Sequence, residues 1–306
     1  MAEKRILCVG LVCLDEVSVV RSYPIEDTDQ RSVDRYTARG GNASNSSTVL
    51  SVIGESVECF ATLANRPREL ELIREDFDRH NIFHGNCPVM DGFDTPVSAV
   101  IVNAQNGSRT IIHTNKNLPE LTVDQFKSLV EENAHRYSWV HFEGRNKASV
   151  PGMVACLEGS GCPVSIEVEK VARRDEDLIP FGDVVMVSKD VARANGASDM
   201  REAVEVFKHK LKPGAKLVVP WGDQGAAGYD PATGETFASP AFTPPEGVVD
   251  SLGAGDAFNG ALIGSLARGV QFRRAVEIAC RVAGAKIGRK GFCGLRDVFQ
   301  GELSKV

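Results

Sequence analysis

The chain has 306 residues, 42% hydrophobic and 25% charged, long enough to bury a sizeable core and too apolar for disorder. Its 35 basic and 41 acidic residues leave a net charge of −6, and no Lys/Arg-rich block tracks a phosphate backbone, which argues against nucleic acid as a partner. No transmembrane stretch or signal-peptide pattern fits, so no membrane association and a cytoplasmic location are expected. Eight scattered cysteines with no C-x-x-C pair read as reduced, small core or near-core residues. The N-x-S/T matches at Asn42, Asn45 and Asn106 then need a role other than glycosylation.

In chain order, Lys4 to Val12 is a continuous apolar run ending near Asp15, the pattern of a strand covered on both faces. Asn45 to Ile53 has helical spacing, Ser56 to Leu63 reads as a strand, and Pro67 to His80 as an acidic helix with Pro at its start. A helix near Val123 to Arg136 follows, with Thr122 and Gln125 at capping-box spacing. Strands are expected near Trp139 to Glu143, Val164 to Val168, Val184 to Val187 and Leu217 to Trp221. Two helices, Asp256 to Arg268 and Arg273 to Ile287, close the chain around Gly269. Two stretches break this βα rhythm. Asp29 to Arg39 is polar and extended, and Thr95 to Val102 with Ser108 to Thr114 reads as a hairpin turning at Asn106-Gly107. Both suggest a small sheet appended to one core as a lid, with no linker or repeat marking a second domain.

Chemistry concentrates in three glycine-rich turns. At Val248 to Leu262 a short strand enters Gly253-Ala254-Gly255, and a helix then starts at Asp256. Such a turn aims backbone N–H groups at one spot, where the helix adds partial positive charge, so an anion belongs there. Asp256 is placed to take a proton from a hydroxyl attacking a phosphoryl group; on spacing alone it equally fits an acidic residue complementing a helix dipole. In the second turn, Arg39 to Asn45, Gly41 permits close approach and Asn42 and Asn45 suit vicinal hydroxyls, or one of Asn42 and Ser44 simply caps a helix. Asp15 is either a sugar-hydroxyl acceptor or a loop carboxylate bonded to local backbone. The third turn, Trp221-Gly222-Asp223-Gln224-Gly225, is either a surface lying along a nucleotide or a plain β-turn. No Walker A, dinucleotide or serine-hydrolase motif occurs. His80 and His84 near Cys87 read as a solvated helix end rather than a metal site.

Taken together, Asp250-Ser251-Leu252-Gly253-Ala254-Gly255-Asp256, running on to Gly260-Ala261-Leu262, and Gly40-Gly41-Asn42-Ala43-Ser44-Asn45 resemble the two signatures of the ribokinase-like (pfkB) carbohydrate kinases. The resemblance covers essentially the whole chain. Within the family it looks most like the ketohexokinases, on Ile6 to Asp15, Arg39 to Ser46, Glu143 to Asn146, Glu167 to Lys170, Asp183 to Asp190 and Gly291-Phe292. It implies a three-layer α/β/α sandwich with a mainly parallel central sheet and a small β-sheet lid, one domain over 1–306, with lid strands in about 13–41 and 95–115. It also implies ATP-dependent transfer to the 1-hydroxyl of a ketohexose such as fructose. Another sugar or nucleoside, or a catalytically silent binding protein, are the alternatives.

By the same resemblance Asp256 is the general base, and the Gly253, Ala254, Gly255 and Asp256 amides form the anion hole. Asp15, Gly41, Asn42 and Asn45 hold sugar hydroxyls, Arg109 meets the phosphate side, and Asp27 reaches a sugar site across a homodimer formed through the lids. Trp221, Gly222, Gly225 and the helix around Ala283 flank adenine and ribose. ATP and Mg²⁺ are the implied cofactors, with K⁺ a further candidate. The family's N-x-x-E is replaced by Ser188-Lys189-Asp190-Val191, which leaves the metal ligands unassigned. Lys189 reads as a cation for the ATP phosphates or as a surface lysine at a strand end. Gly222-Asp223-Gln224 replaces a more acidic run of the subgroup, and Asp223 is given no catalytic role.

Overall fold

Alternate residues of the first strand, Arg5–Val9, face opposite ways: Ile6 and Cys8 enter one apolar core, Leu7 and Val9 the other. A strand buried on both faces needs helices on both, and the chain supplies them. The computed structural model describes residues 4–245 and 247–305. Its main sheet orders seven parallel strands as Ile82–Phe83, Val57–Phe60, Arg5–Val9, Tyr137–Glu143, Val164–Val168, Val184–Val187 and Lys216–Pro220. The antiparallel strands Ala226–Asp230 and Glu235–Ser239 complete one edge. Helices Asn42–Ile53, Ala254–Ala267, Phe272–Ile287 and Leu295–Leu303 cover one face, while Val123–Asn133 and Met200–Phe207 lie on the other. The result is the expected ribokinase-like three-layer α/β/α sandwich.

The chain leaves Arg5–Val9 first toward Val57–Phe60 and later returns to its other side at Tyr137–Glu143. Open α/β sheets bind ligands at the carboxyl edge beside such a reversal of strand order. Over that edge lies the lid, a four-stranded sheet ordered Asp34–Gly40, Cys13–Val20, Val97–Asn103 and Arg109–Thr114. Only Val17, Val100 and Val102 form its own buried cluster.

Several expectations shift. Asp15 lies inside the lid strand Cys13–Val20, not in a loop after the first strand. The strand expected over Ser56 to Leu63 is two: Val57–Phe60 pairs in the main sheet, and Leu63–Ala64 leaves it to pair with Val89–Met90. The capping box at Thr122 and Gln125 is present. The helices Lys189–Ala194, Met200–Phe207 and Leu295–Leu303 and the edge hairpin were not foreseen, although Ser188 and Asp199 cap the first two as such residues do. All eight cysteines are free, five of them buried.

Candidate active site

Helix Ala254–Ala267 starts on Gly253, whose φ of 76° is open to glycine and strained for other residues, and the Phe292 ring fills the space where a side chain would begin. The Ala254 N–H closes a turn on the Ser251 carbonyl (3.3 Å). The following first-turn amides have no carbonyl one turn back and are free for an anion. Asp256 sits in that turn, 7% exposed, and accepts from Asn45 Nδ2 at 2.9 Å. Burial pushes its carboxyl up to about 7; Asn45 opposes, Glu169 and Glu143 add to the rise, and Arg109 opposes. A carboxylate so poised near neutrality suits a general base. Buried and bonded across to another helix, it is more than a dipole-complementing surface residue.

The second turn presents Asn45 to Asp256. Gly41, at φ 100°, is the N-cap of Asn42–Ile53 and makes no side-chain cap bond. A side chain on Gly41 would collide with the Leu11 carbonyl, so the backbone approaches this closely only with glycine. Neither Asn42 nor Ser44 caps the helix. Asn42 Nδ2 instead donates to Glu167 Oε2 (3.0 Å) and Glu169 Oε2 (2.8 Å), while Asn259, one turn after Asp256, donates to Glu167 Oε1 (2.8 Å). Glu143 Oε2 accepts from the Leu11 and Ala43 amides (2.9 and 3.2 Å). The amide donors of both asparagines are therefore engaged by carboxylates, which leaves their Oδ1 atoms for a ligand. Burial, with Glu169 and Asp256 nearby, drives the Glu167 carboxyl well above the usual range.

These groups open into a cavity of about 720 Å³ under the lid, within the range of small-molecule sites. It brings together Asp15, Gly41, Asn42, Asn45, Arg109, Lys189, Gly222, Gly253, Gly255 and Asp256 of the expected set. Arg109 Nη1 donates to Ser251 Oγ (3.1 Å), which itself donates to the Gly107 carbonyl (2.9 Å), so the lid hairpin docks on the anion loop. Ala254, the first residue of the helix, is half-buried and does not line the cavity.

Four expected residues fall elsewhere. Trp221 does not line the cavity: it is 1% exposed, with Lys189 Nζ and the Arg193 guanidinium each 5.6 Å from its ring, because helix Lys189–Ala194 covers it. Gly225, at φ 100°, packs on the Ser239 carbonyl, and Ala283 packs into the apolar core of its own face. Asp27 is exposed outside the cavity of its own chain. His84 stacks on Phe77 (5.1 Å) and Cys87 Sγ donates to the Cys59 carbonyl (3.2 Å), so that cluster is structural.

Sequence reasoning missed Glu143, Glu167, Glu169 and Asn259 as site residues. The signal was present: acidic residues ending otherwise apolar, doubly covered strands are costly unless bonded. It also missed Lys286, completely buried, whose Nζ donates to the Asp250 carboxylate (2.6 Å) and carbonyl (2.9 Å). Asp250 Oδ1 in turn accepts from Leu252 N (2.9 Å), and the Val249 and Asp250 amides bond the Ile287 carbonyl (2.7 and 3.1 Å). The anion loop is thus pinned to the end of helix Phe272–Ile287.

Among the described residues, no group of three or more His, Cys, Asp and Glu could by itself hold a metal ion. The carboxylates of Glu143, Glu167, Glu169 and Asp256 each accept from asparagine or backbone donors. That donor set fits a hydrated Mg²⁺ carried on nucleotide phosphates, not a protein cage.

A buried carboxylate in the first turn of a glycine-started helix, at the carboxyl edge of a parallel sheet and under a small β-sheet, is the arrangement that the resemblance to ribokinase-like carbohydrate kinases leads one to expect. Ribokinase from Giardia lamblia superimposes with a TM-score of 0.83 at 16% identity, over 99% of this chain and 100% of that one. Arabidopsis thaliana ribokinase complexed with ribose and ATP gives 0.77 at 17%, over 98% and 99%; at such identities the likeness speaks for the fold. Mouse (Mus musculus) ketohexokinase is 40% identical over 304 residues, 96% of this chain and 100% of that protein. Residues 3–296 match the pfkB family of carbohydrate kinases. The chain belongs to that family and is an ATP-dependent carbohydrate kinase. None of the helices among the described residues is long and apolar enough to cross a membrane.

Proposed function

We propose that the enzyme transfers the γ-phosphoryl group of ATP to the primary 1-hydroxyl of a ketohexose, converting D-fructose to fructose 1-phosphate. The observation that carries this reading is the Asn45–Asp256 bond, which joins a hydroxyl-binding turn to a base at the mouth of an anion site. The 40% identity to a ketohexokinase favours a ketose over other acceptors. Asp256 takes the hydroxyl proton as the oxygen attacks phosphorus, and the Gly253 to Asp256 amides with Arg109 offset charge on the transferred group. Asp15, Gly41 and the free Oδ1 atoms of Asn42 and Asn45 orient the sugar. Lys189 faces the ATP phosphates. Mg²⁺ carried with ATP would supply charge neutralisation on the phosphates.

Excluding water is the lid's part, since an open site would hydrolyse ATP. The lid strand Arg109–Thr114 leaves Ile112 60% exposed, and the loop joining two lid strands leaves Ile25 74% exposed, apolar surface that a lid-to-lid homodimer would cover, with Asp27 delivered toward the partner's sugar site. Light scattering at micromolar concentration tests this: a dimer mass is expected, and a monomer alone would remove it.

ADP release from Mg-ATP is to be measured with fructose, ribose, glucose, adenosine and no sugar, beside Asp256→Asn. Fructose-dependent turnover lost in the variant, with NMR placing phosphate on the 1-hydroxyl, is the expected result. Turnover with another acceptor alone changes the substrate and keeps the mechanism.

A further inference from the structure

The lid wall of the cavity is polar where an apolar wall would have sufficed to exclude water. Asp15, Ser98 and His113 stand in one row across three paired strands: Asp15 is the register partner of Ser98, and Ser98 of His113. All three, with Cys13, line the cavity. Ser98 Oγ lies 3.1 Å from His113 Nδ1 and 3.6 Å from Cys13 Sγ, and Cys13 Sγ donates to Asp15 Oδ1 at 3.5 Å. Burial, reinforced by the Asp15 carboxylate, keeps the Cys13 thiol protonated, so it is a donor. One Asp15 oxygen is thereby held from within the lid, leaving the other for a ligand.

His113 is fixed at one ring nitrogen only. Nδ1 engages Ser98, and among the described residues no protein group takes Nε2. Burial and the Arg145 and Arg173 guanidinium groups lower its affinity for a proton, while Glu143 and Asp15 oppose them. That favours the neutral ring, whose Nε2 is a donor or an acceptor according to the direction of the Ser98 hydroxyl. Arg109, Ile111 and His113 share the cavity-facing side of one strand. Arg109 marks the phosphoryl end through Ser251, and His113, four residues on, lies about 13 Å away along the strand. A sugar whose reacting hydroxyl is at Asp256 presents its far end to that wall.

We propose that His113 is a specificity-determining contact: locked by Ser98 in one row with Asp15, its Nε2 reads a sugar hydroxyl remote from the phosphorylated one. This rests on the sugar-kinase reading above and names which part of the sugar the lid recognises. His113 is exposed in the open site; once a bound sugar shields the ring from water, an analogue lacking the hydroxyl leaves Nε2 unpaired, and such a site discriminates against it.

The test is a cycle of variants against substrates. Wild type, His113→Phe, His113→Gln and Ser98→Ala are assayed with D-fructose and its 3-, 4- and 6-deoxy analogues, and folding is checked by circular dichroism. His113→Phe is expected to lower kcat/KM for fructose about fivefold to tenfold, mostly through sugar KM. It should cost nothing further on the 4-deoxy or the 6-deoxy analogue, whichever lacks the partner hydroxyl. His113→Gln should recover part of the loss, and Ser98→Ala added to His113→Phe should cost no more than His113→Phe alone. Equal losses on every analogue, strict additivity of the two substitutions, or no loss on fructose would each overturn the assignment. A wild-type enzyme that phosphorylates a different sugar overturns the fructose reading alone, and the same cycle on that sugar's deoxy series then decides about His113.

Discussion

Asn45 Nδ2 lies 2.9 Å from Asp256 Oδ2, although the two residues are 211 positions apart. The bond joins the start of one helix to the start of another, so whatever moves Asn45 also moves the acidity of Asp256; on the proposed reading it couples sugar placement to base strength. Because this donor stabilises the carboxylate, losing it raises the pKa further. Asn45→Ala should therefore raise sugar KM and shift the acid limb of the kcat/KM–pH profile above its wild-type position near 7. An unshifted limb with altered sugar KM would reduce Asn45 to a sugar contact, and a selective loss of ATP affinity would mean the two half-sites are misplaced.

Asp256 carries two opposed consequences. As the base proposed above, its replacement by Asn should cut turnover by roughly 10²–10⁴-fold with ATP binding nearly intact. As a buried acid whose pKa rises on folding from an unfolded value of about 3.9 to about 7, it binds more protons folded than unfolded between those values. Stability then falls as pH rises through that window, and the full penalty applies above it. Asp256→Asn should gain thermal stability over wild type, more at pH 8 than at pH 5. Near-wild-type turnover would take Asp256 out of the mechanism, and a pH-independent difference in Tm would contradict its burial as an acid.

How far the sequence was legible follows from how local each feature is. The Gly253 to Asp256 turn and the Gly41 to Asn45 turn are short segments whose geometry follows from glycine and a helix start, and both line the cavity. The row of Asp15, Ser98 and His113 depends on strand register, which nothing in the separate segments reveals. Trp221, placed beside the nucleotide by family resemblance, is instead buried with helix Lys189–Ala194 against its ring, a packing that the turn's own sequence does not reveal. Glu167 and Lys286 are charges in apolar segments, visible as anomalies, but their partners Asn42, Asn259 and Asp250 are set only by the packing of helices on the sheet.

Gly255 separates folding from function at the anion site. No atom lies within 4 Å of where its side chain would begin, so the space belongs to the cavity. Gly255→Val should fold with little change in Tm yet lose about 10²-fold or more in kcat, by standing where the transferred phosphoryl meets the backbone amides. Unchanged kinetics would place the anion elsewhere.

Lys286 is the structural counterpart of that site. Its ammonium is completely buried and bonded to the carboxylate and the carbonyl of Asp250, the residue that begins the anion loop. Burial lowers its pKa, and Asp250 opposes the fall. Removing one partner of such a pair leaves the other charge buried, which costs about 3–5 kcal/mol, whereas the intact pair adds little net stability over an apolar substitute. Lys286→Met should lower the urea midpoint correspondingly at an unchanged m-value. It should also reduce kcat more than it raises sugar KM, because the anion loop moves and the Asp15 row does not. If the midpoint holds, water or the Gly291 amide, 3.3 Å from Asp250 Oδ2, suffices to satisfy Asp250. If stability falls while kcat holds, the loop keeps its shape without the clamp, and Lys286 serves folding alone.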